Sequence, residues 1–329
     1  MDIAYHPQLA ALVSRPPDGD DWLHEIKFDG YRIGCRIQQG RAALISRGGQ
    51  DWTDRFPDIA EDALGLDARD ALLDGEVAVV LPDGRTSFEH LQRVASGGPV
   101  SSGLQRQGTN RAALVYFVFD LLRLDGRSLT HLPLDARKAA LRSLIPDRPI
   151  GRIRYADHVV GQGVAFFTLA RQRGLEGVIS KRRDERHHAG RRGGWVKSKC
   201  TQRQEFVIGG FTDPAGTRQG IGALVIGHYD HARLVCAGRV GTGFTDDVAR
   251  DLRRRLDAMT QPACPFDPPP SGAWSRRAHW VAPSLVCEVA FTEWTSDGNV
   301  RHPSFQGVRG DKEPREVTRE HAAPDSARR

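Results

Sequence analysis

The chain has 329 residues, of which 39% are hydrophobic and 27% charged, and its formal net charge is +6. That length can bury a full core and suggests two domains, and no apolar run reaches the roughly 18 residues that a membrane span needs. A basic balance is compatible with a polyanionic partner, because Arg and Lys gain affinity by displacing counterions from phosphates; the excess of Arg over Lys also follows from GC-rich coding. The start, MDIAYHPQLAALVSRPP, lacks a basic region leading into an apolar stretch, so no secretory signal is expected. The five cysteines (Cys35, Cys200, Cys236, Cys264 and Cys287) show no C-x-x-C spacing. This argues against a disulfide framework and a structural zinc site, and fits a reducing, cytoplasmic setting.

In chain order, strands are predicted over 22–28, 31–38, 41–46, 71–81, 113–122, 175–181 and 194–199. Helices are predicted over 57–65, 87–96, 134–145 and 161–173. In LDARKAALRSLI, for example, Leu134, Leu141 and Leu144/Ile145 gather near one side. The early connections are too short for parallel crossovers, so the first domain reads as antiparallel α+β. After residue 203 the texture changes to strands separated by Gly, Asp and Pro turns: EFVIGGFTD, ALVIGHYD, RLVCAGRVGTGF, SLVCEVAFTEWT and VRHPSFQGV. One helical stretch, DDVARDLRRRLDAM, interrupts them, and five strands with one helix fit a partly open OB-type barrel. The expected division is 1–203, 204–318 and a disordered tail, 319–329.

Within HEIKFDGYR (24–32), alternation puts Ile26 and Phe28 on one strand face, expected to be the core, and Glu25, Lys27 and Asp29 on the other. Asp29-Gly30 is then expected to turn the strand into a hairpin with YRIGCRI. Further clusters follow: SRGG with Arg47; LLDGEVAVV with Asp74 and Glu76 on one face; the aromatic strand YFVFDLLRLDG; LEGVISKRRD, bracketed by Glu176 and Lys181; and WVKSKC, with Trp195, Lys197 and Lys199 on one face. Each has an ordinary explanation when taken singly: a solvated hairpin, a turn, a core strand, an edge strand protected by lysines. Two like charges on one face do suggest an anion between them. Adjacent His187 and His188 point apart on extended chain and are not read as metal ligands; Arg191 and Arg192 beside them suit a phosphate or solvent.

Taken together and in order, K-x-D-G-x-R, S-R-G-G, D-G-E, F-D-L-L, E-G-x-x-x-K and K-x-K resemble the covalent nucleotidyltransferases: ATP-dependent DNA ligases, RNA ligases and capping enzymes. Within that group PQLAALV, WLHEIKFDGYR, QEFVIGGFTDP, GRVGTGF and FTEWTSDGNVRHPSFQGVRGDK resemble the ligase domain of bacterial ligase D, the end-joining ligase. The resemblance covers nearly the whole chain. It implies an antiparallel-sheet, ATP-grasp-like adenylation domain followed by an all-β OB-fold domain, in an α+β chain.

It also implies a mechanism, in which Lys27 attacks the α-phosphorus of ATP to form lysyl–AMP. A free lysine is only about 0.1% neutral near pH 7.5, so nearby cations must activate it: a metal ion, Arg32, Lys197 and Lys199. Asp29 is placed with the catalytic set. Glu76 and Glu176 are hard oxygen ligands suited to Mg²⁺ or Mn²⁺. Arg32 and Arg47 would hold the ribose and DNA phosphate region, and Tyr116 or Phe119 would stack on adenine, the two facing opposite sides of their strand. Glu25, Ile26 and Lys181 are implied to line the nucleotide. Arg309, Asp311 and Lys312, in VRGDK, are implied to orient pyrophosphate after closure about a hinge near 200–205. The implied activity seals 3′-OH/5′-phosphate nicks or ends in double-strand break repair and recombination, with an RNA ligase or related nucleotidyltransferase as the alternative. A monomer acting on nicked or broken duplex in the nucleoid, with Ku and polymerase or phosphoesterase modules as partners, is expected on the same ground.

Overall fold

A computed structural model describes residues 4–97, 112–145, 150–214 and 220–321. The chain divides at Cys200/Thr201 into two compact units, three residues before the boundary expected from sequence. Of the tail expected over 319–329, residues 322–329 lie outside the described residues. Arg319 packs 4.2 Å from the Trp294 ring centroid, and the Glu320 N–H donates to Gln204 Oε1 at 3.0 Å. No described helix is long and apolar enough to cross a membrane.

The first unit runs β1 (Ala11–Leu12), β2 (Trp22–Ile26), β3 (Tyr31–Gln38), β4 (Arg41–Ser46), α1 (Pro57–Ala63), β5 (Asp70–Val80), α2 (Phe88–Ala95), β6 (Ala113–Leu124), β7 (Arg127–Ser128), α3 (Leu134–Leu144), β8 (Ile153–Tyr155), β9 (His158–Val160), α4 (Gly163–Gln172), β10 (Gly177–Arg182) and β11 (Trp195–Lys199). They build two sheets. The first sheet has strand order β1-β11-β10-β2-β9, and the companion sheet β4-β3-β5-β6-β7, with β8 against β6. Nearly all pairs are antiparallel; β1 with β11 and β6 with β8 are the parallel ones among those described.

The companion sheet owes its main core to its odd-numbered face: Ile33, Cys35 and Ile37 of β3 and Leu73, Val77 and Val79 of β5 pack with Trp52, Phe56, Ile59, Leu141 and Leu144. Helix starts follow local chemistry: Pro57 begins α1, and the Ser87 hydroxyl accepts the His90 N–H at 3.4 Å to cap α2. Helix α3 buries Leu134, Leu141 and Leu144 as its periodicity predicts, but Arg137 and Lys138 are buried in the same stripe. Buried charges require partners. Arg137 makes a two-pronged pair with Asp120, at 2.8 Å for each prong.

One expectation needs correcting. HEIKFDGYR is not a hairpin: β2 pairs with β10 and β9, whereas β3 pairs with β4 and β5. Residues 27–30 carry the chain from one sheet into the other. Gly30 is demanded by the crossing, because a Cβ there would lie 2.1 Å from the Val77 carbonyl oxygen. The burial pattern differs too. Leu23, His24 and Glu25 are buried, whereas Ile26 and Phe28 are only partly covered, since both faces of β2 are packed.

The second unit contains β12 (Gln202–Thr212), β13 (Ala223–Asp230), β14 (Arg233–Val240), α5 (Asp246–Asp257), β15 (Ala278–Phe291), β16 (Glu293–Trp294), β17 (Val300–Arg301) and β18 (Ser304–Val308). Five strands form one sheet in the order β14-β13-β12-β15-β18, and β16 with β17 makes a small hairpin. The ends approach each other where the Phe305 N–H donates to Thr242 O at 2.9 Å, curling the sheet into the expected OB-type barrel. Its core includes Phe206, Ile208, Phe211, Leu224, Ile226 and Leu252. Thr245 caps α5, with Asp246 and Asp247 in the first turn and Arg254 and Arg255 in the last, matching the helix dipole.

Candidate active site

Strand register builds the site. Across the first sheet, Glu25 lies opposite Ile179, and Ile179 opposite Lys197. One row away Leu23 is opposite Lys181, which is opposite Trp195; on the other side Gly177 is opposite Lys199. The Lys27 N–H donates to Gly177 O at 3.0 Å, extending this ladder one residue beyond β2. Period-two alternation therefore sets Glu25, Lys27, Lys181, Trp195, Lys197 and Lys199 on one face. The expectation for WVKSKC agrees with this register.

Lys27 Nζ is ion-paired with Glu176 Oε1. The Glu176 side chain is 6% exposed, and its other oxygen, Oε2, is buried without a hydrogen-bond partner among the described residues. An orphaned buried carboxylate oxygen beside an amine fits a divalent cation. Mg²⁺ is commonly held by one or two carboxylates together with substrate phosphates. No group of three or more His, Cys, Asp or Glu is arranged for a metal among the described residues.

The companion sheet presents its even-numbered β3 and β5 positions toward this face. Arg32 grips Asp74 with two prongs, Nε to Oδ1 at 2.5 Å and Nη2 to Oδ2 at 2.6 Å, and Asp74 is fully buried. The Tyr5 hydroxyl donates to the same Oδ1 at 2.6 Å. Burial opposes the Arg32 charge, but Asp74 outweighs it and raises the guanidinium pKa. The Arg32 guanidinium lies 4.3 Å from the Phe119 ring centroid and 5.5 Å from that of Trp195. Glu76 is half-buried and in register with Arg32 and with Phe117.

The aromatic residues are sorted by the fold. Tyr116 is not a stacking surface: it is fully buried and its hydroxyl donates to Ile33 O at 2.9 Å. Gly75 of D-G-E is explained by it, since a Cβ there would lie 2.5 Å from the Tyr116 ring. Phe119 is buried too, with Arg32 and Lys181 both over its ring. Phe117, on the same face as Phe119, is half-exposed and stacks parallel on Phe28 at 3.9 Å. Strand alternation could have singled it out.

Asp29 is buried, and its N–H donates to Thr86 Oγ1 at 3.0 Å. Arg47 follows β4 and is half-buried, and Ile26 is partly covered. Arg191 and Arg192 are exposed, whereas the His187 N–H is tied to Thr130 O at 3.0 Å. Residues that sequence reasoning passed over are Tyr5 and Lys138. Lys138 Nζ donates to Glu25 Oε1 at 2.6 Å, and Lys181 Nζ to Glu25 Oε2 at 2.6 Å. A lysine inside the apolar stripe of α3 was the available signal. In the second unit, Arg309 forks onto Asp311 at 2.8 Å for each prong and meets Glu288 at 3.0 Å, while Lys312 pairs with Glu205 at 3.0 Å.

Residues 7–199 match the ATP dependent DNA ligase domain family, and residues 217–312 match the ATP dependent DNA ligase C terminal region. The chain is 37% identical over 320 residues to the multifunctional non-homologous end joining protein LigD of Pseudomonas aeruginosa, covering 96% of this chain and 37% of that one. It is 36% identical to the LigD protein of Mycobacterium bovis, covering 97% and 39%. The chain thus spans less than two-fifths of the length of these relatives. Among solved structures it resembles a mycobacterial DNA ligase D complexed with ATP and MES, with a TM-score of 0.68 and 33% identity over 96% of this chain and 98% of that one. With the lysine, carboxylates and paired lysines of the six ordered motifs gathered in the first unit and a curled five-stranded sheet in the second, the chain belongs to the ATP-dependent DNA ligase family.

Proposed function

We propose that the chain seals 3′-OH/5′-phosphate nicks or ends in duplex DNA during non-homologous end joining, through a lysyl–AMP intermediate. The observation carrying this reading is the Lys27–Glu176 ion pair at the end of the sheet face that also carries Lys197 and Lys199.

An amine attacks phosphorus only in its neutral form, so Lys27 must give up a proton to react. Glu176 Oε1 is the acceptor in contact with it. The neutral Nζ attacks the α-phosphorus, the P–N bond forms and the bond to pyrophosphate breaks. Lys197 and Lys199 offset charge building on the α-phosphate oxygens. A DNA 5′-phosphate oxygen then attacks the same phosphorus, releasing Lys27 and leaving AMP on the DNA. The 3′-hydroxyl attacks the DNA phosphorus in turn, and AMP departs. A Mg²⁺ or Mn²⁺ ion held by Glu176 and Glu76 would supply further charge neutralisation for phosphoryl transfer.

Arg32, fixed by Asp74, and Arg47 are assigned to the ribose and DNA phosphate region, and Glu25, Ile26 and Lys181 to the nucleotide lining. Asp29 is assigned to shaping the segment after Lys27. Phe117 takes the place of the buried Tyr116 and Phe119 as the candidate adenine platform. Arg309, Asp311 and Lys312 are assigned to the leaving pyrophosphate, with residues 200–205 as the hinge. Ku and processing modules are proposed partners because the longer relatives carry the end-joining name.

Labelled ATP should yield a covalent adduct that nicked DNA discharges, with AMP appearing as the nick closes. An adduct that persists in Lys27→Ala would remove Lys27 as the nucleophile.

A further inference from the structure

Lys138 belongs to none of the six ordered motifs, yet it is among the most completely buried cations of the first unit. Its Nζ donates to Glu25 Oε1 at 2.6 Å and to Ala156 O at 2.8 Å, and lies 4.3 Å from the Tyr155 ring centroid. Lys181 Nζ takes the other Glu25 oxygen and lies 4.2 Å from Phe119 and 4.1 Å from Trp195. Lys138, Glu25 and Lys181 are each no more than 3% exposed. One carboxylate thus serves two buried ammonium groups.

A single lysine would neutralise Glu25, and burying a second charge costs free energy that the pairing must offset. The second lysine is therefore better explained by orientation than by charge balance. Burial pulls the Lys181 amine down to about 8 despite Glu25, whereas for Lys138 the pull of Glu25 overcomes burial and raises it. Lys138 Nζ is also tied to Ala156 O, so its ammonium is held at a fixed point beside α3. Glu25 stands two residues before Lys27 on the same face and shares its row with Lys197. Its rotamer decides what a nucleotide meets next to the nucleophile. A carboxylate anchored at both oxygens cannot rotate; one anchored only by Lys181 can.

We propose that Lys138 is a positioning residue for nucleotide binding: from α3, it locks the Glu25 carboxylate in the orientation that receives ATP. The proposal rests on the assignment of this sheet face to the nucleotide.

The test compares Lys138→Met and Lys138→Arg in the full chain, measuring KM for ATP and kcat of adduct formation together with the thermal midpoint. Lys138→Met should raise KM roughly tenfold while kcat changes less than about threefold, and Lys138→Arg should recover most of the loss. An unchanged KM in Lys138→Met overturns the proposal. So does a fall in kcat with KM constant, or an equal defect in both variants, since either marks a purely structural role. If Lys138→Met does not fold, Lys138→Gln, which keeps donors but not charge, is read by the same criteria. Lys27→Ala separates the two levels. An adduct in that variant overturns the site assignment itself, whereas its absence together with a normal KM in Lys138→Met overturns only the role of Lys138.

Discussion

Lys27 and Glu176 face each other as an ion pair, and one oxygen of that carboxylate is left buried with no described partner. The pair defines a resting state. On the proposed mechanism Glu176 takes the Lys27 proton and keeps its other oxygen for a cation. Glu176→Gln should therefore slow adduct formation roughly 10²-fold or more, in the range seen when a general acid–base group is lost. Chelation of divalent cations should suppress the adduct in the parent chain as well. Single-turnover adenylation with labelled ATP measures both, and a near-normal rate in Glu176→Gln would exclude the proton-accepting role.

The Arg32–Asp74 clamp makes a stability prediction. Asp74→Ala leaves a largely buried guanidinium without its carboxylate, which should cost about 3–5 kcal/mol. Tyr5→Phe removes one hydrogen bond to the same carboxylate and should cost only about 1–2 kcal/mol. Urea unfolding of the three chains orders them; equal losses would mean that Asp74 acts through Tyr5 rather than through Arg32.

The two strand neighbours Tyr116 and Phe117 should separate structure from binding. Tyr116→Phe is expected to destabilise by about 1 kcal/mol and to leave KM for ATP within twofold. Phe117→Ala is expected to raise that KM roughly tenfold, since stacking of a base on an aromatic ring is worth about 1–3 kcal/mol. The opposite pattern would restore Tyr116 as the adenine platform.

Lys181 gives a pH dependence whose sign is fixed. Burial lowers its amine from 10.5 to about 8. Below pH 8 both folded and unfolded chains hold this proton, and above 10.5 neither does. Between those values only the unfolded chain binds it, so the contribution of this group to stability rises with pH. Raising the pH from 7.5 to 9.5 should favour the parent over Lys181→Met by on the order of 1 kcal/mol. Chemical unfolding at both pH values tests this, and a constant difference would contradict it.

Much of this arrangement is legible in the sequence, for physical reasons that can be named. The strands 31–38 and 41–46 follow from alternation, and the placement of Trp195, Lys197 and Lys199 follows from period two alone. The stripe of α3 follows from Leu134, Leu141 and Leu144. What alternation cannot supply is which strand pairs with which. A D-G dipeptide signals a sharp change of direction, and whether the next strand returns to its neighbour or enters another sheet depends on long-range pairing. The burial of Glu25 was missed for a related cause: a carboxylate reads as solvated until its lysines, 113 and 156 residues away in sequence, are brought to it. The choice between Tyr116 and Phe119 stayed open because an aromatic residue in a motif and one in a core look alike without a partner for the hydroxyl.

The crossing at residues 27–30 also fixes how the two halves of the site are phased. Each sheet sets its own odd–even parity, and only two residues of ordinary conformational freedom, Phe28 and Asp29, separate Lys27 from Gly30. Inserting or deleting one residue would leave one sheet in step and turn the other over, sending either the amine or the Arg32 guanidinium to the wrong side. The spacing between Lys27 and Arg32 is thus a counted quantity, with Gly30 fixed by the crossing and the number of residues fixed by the two parities.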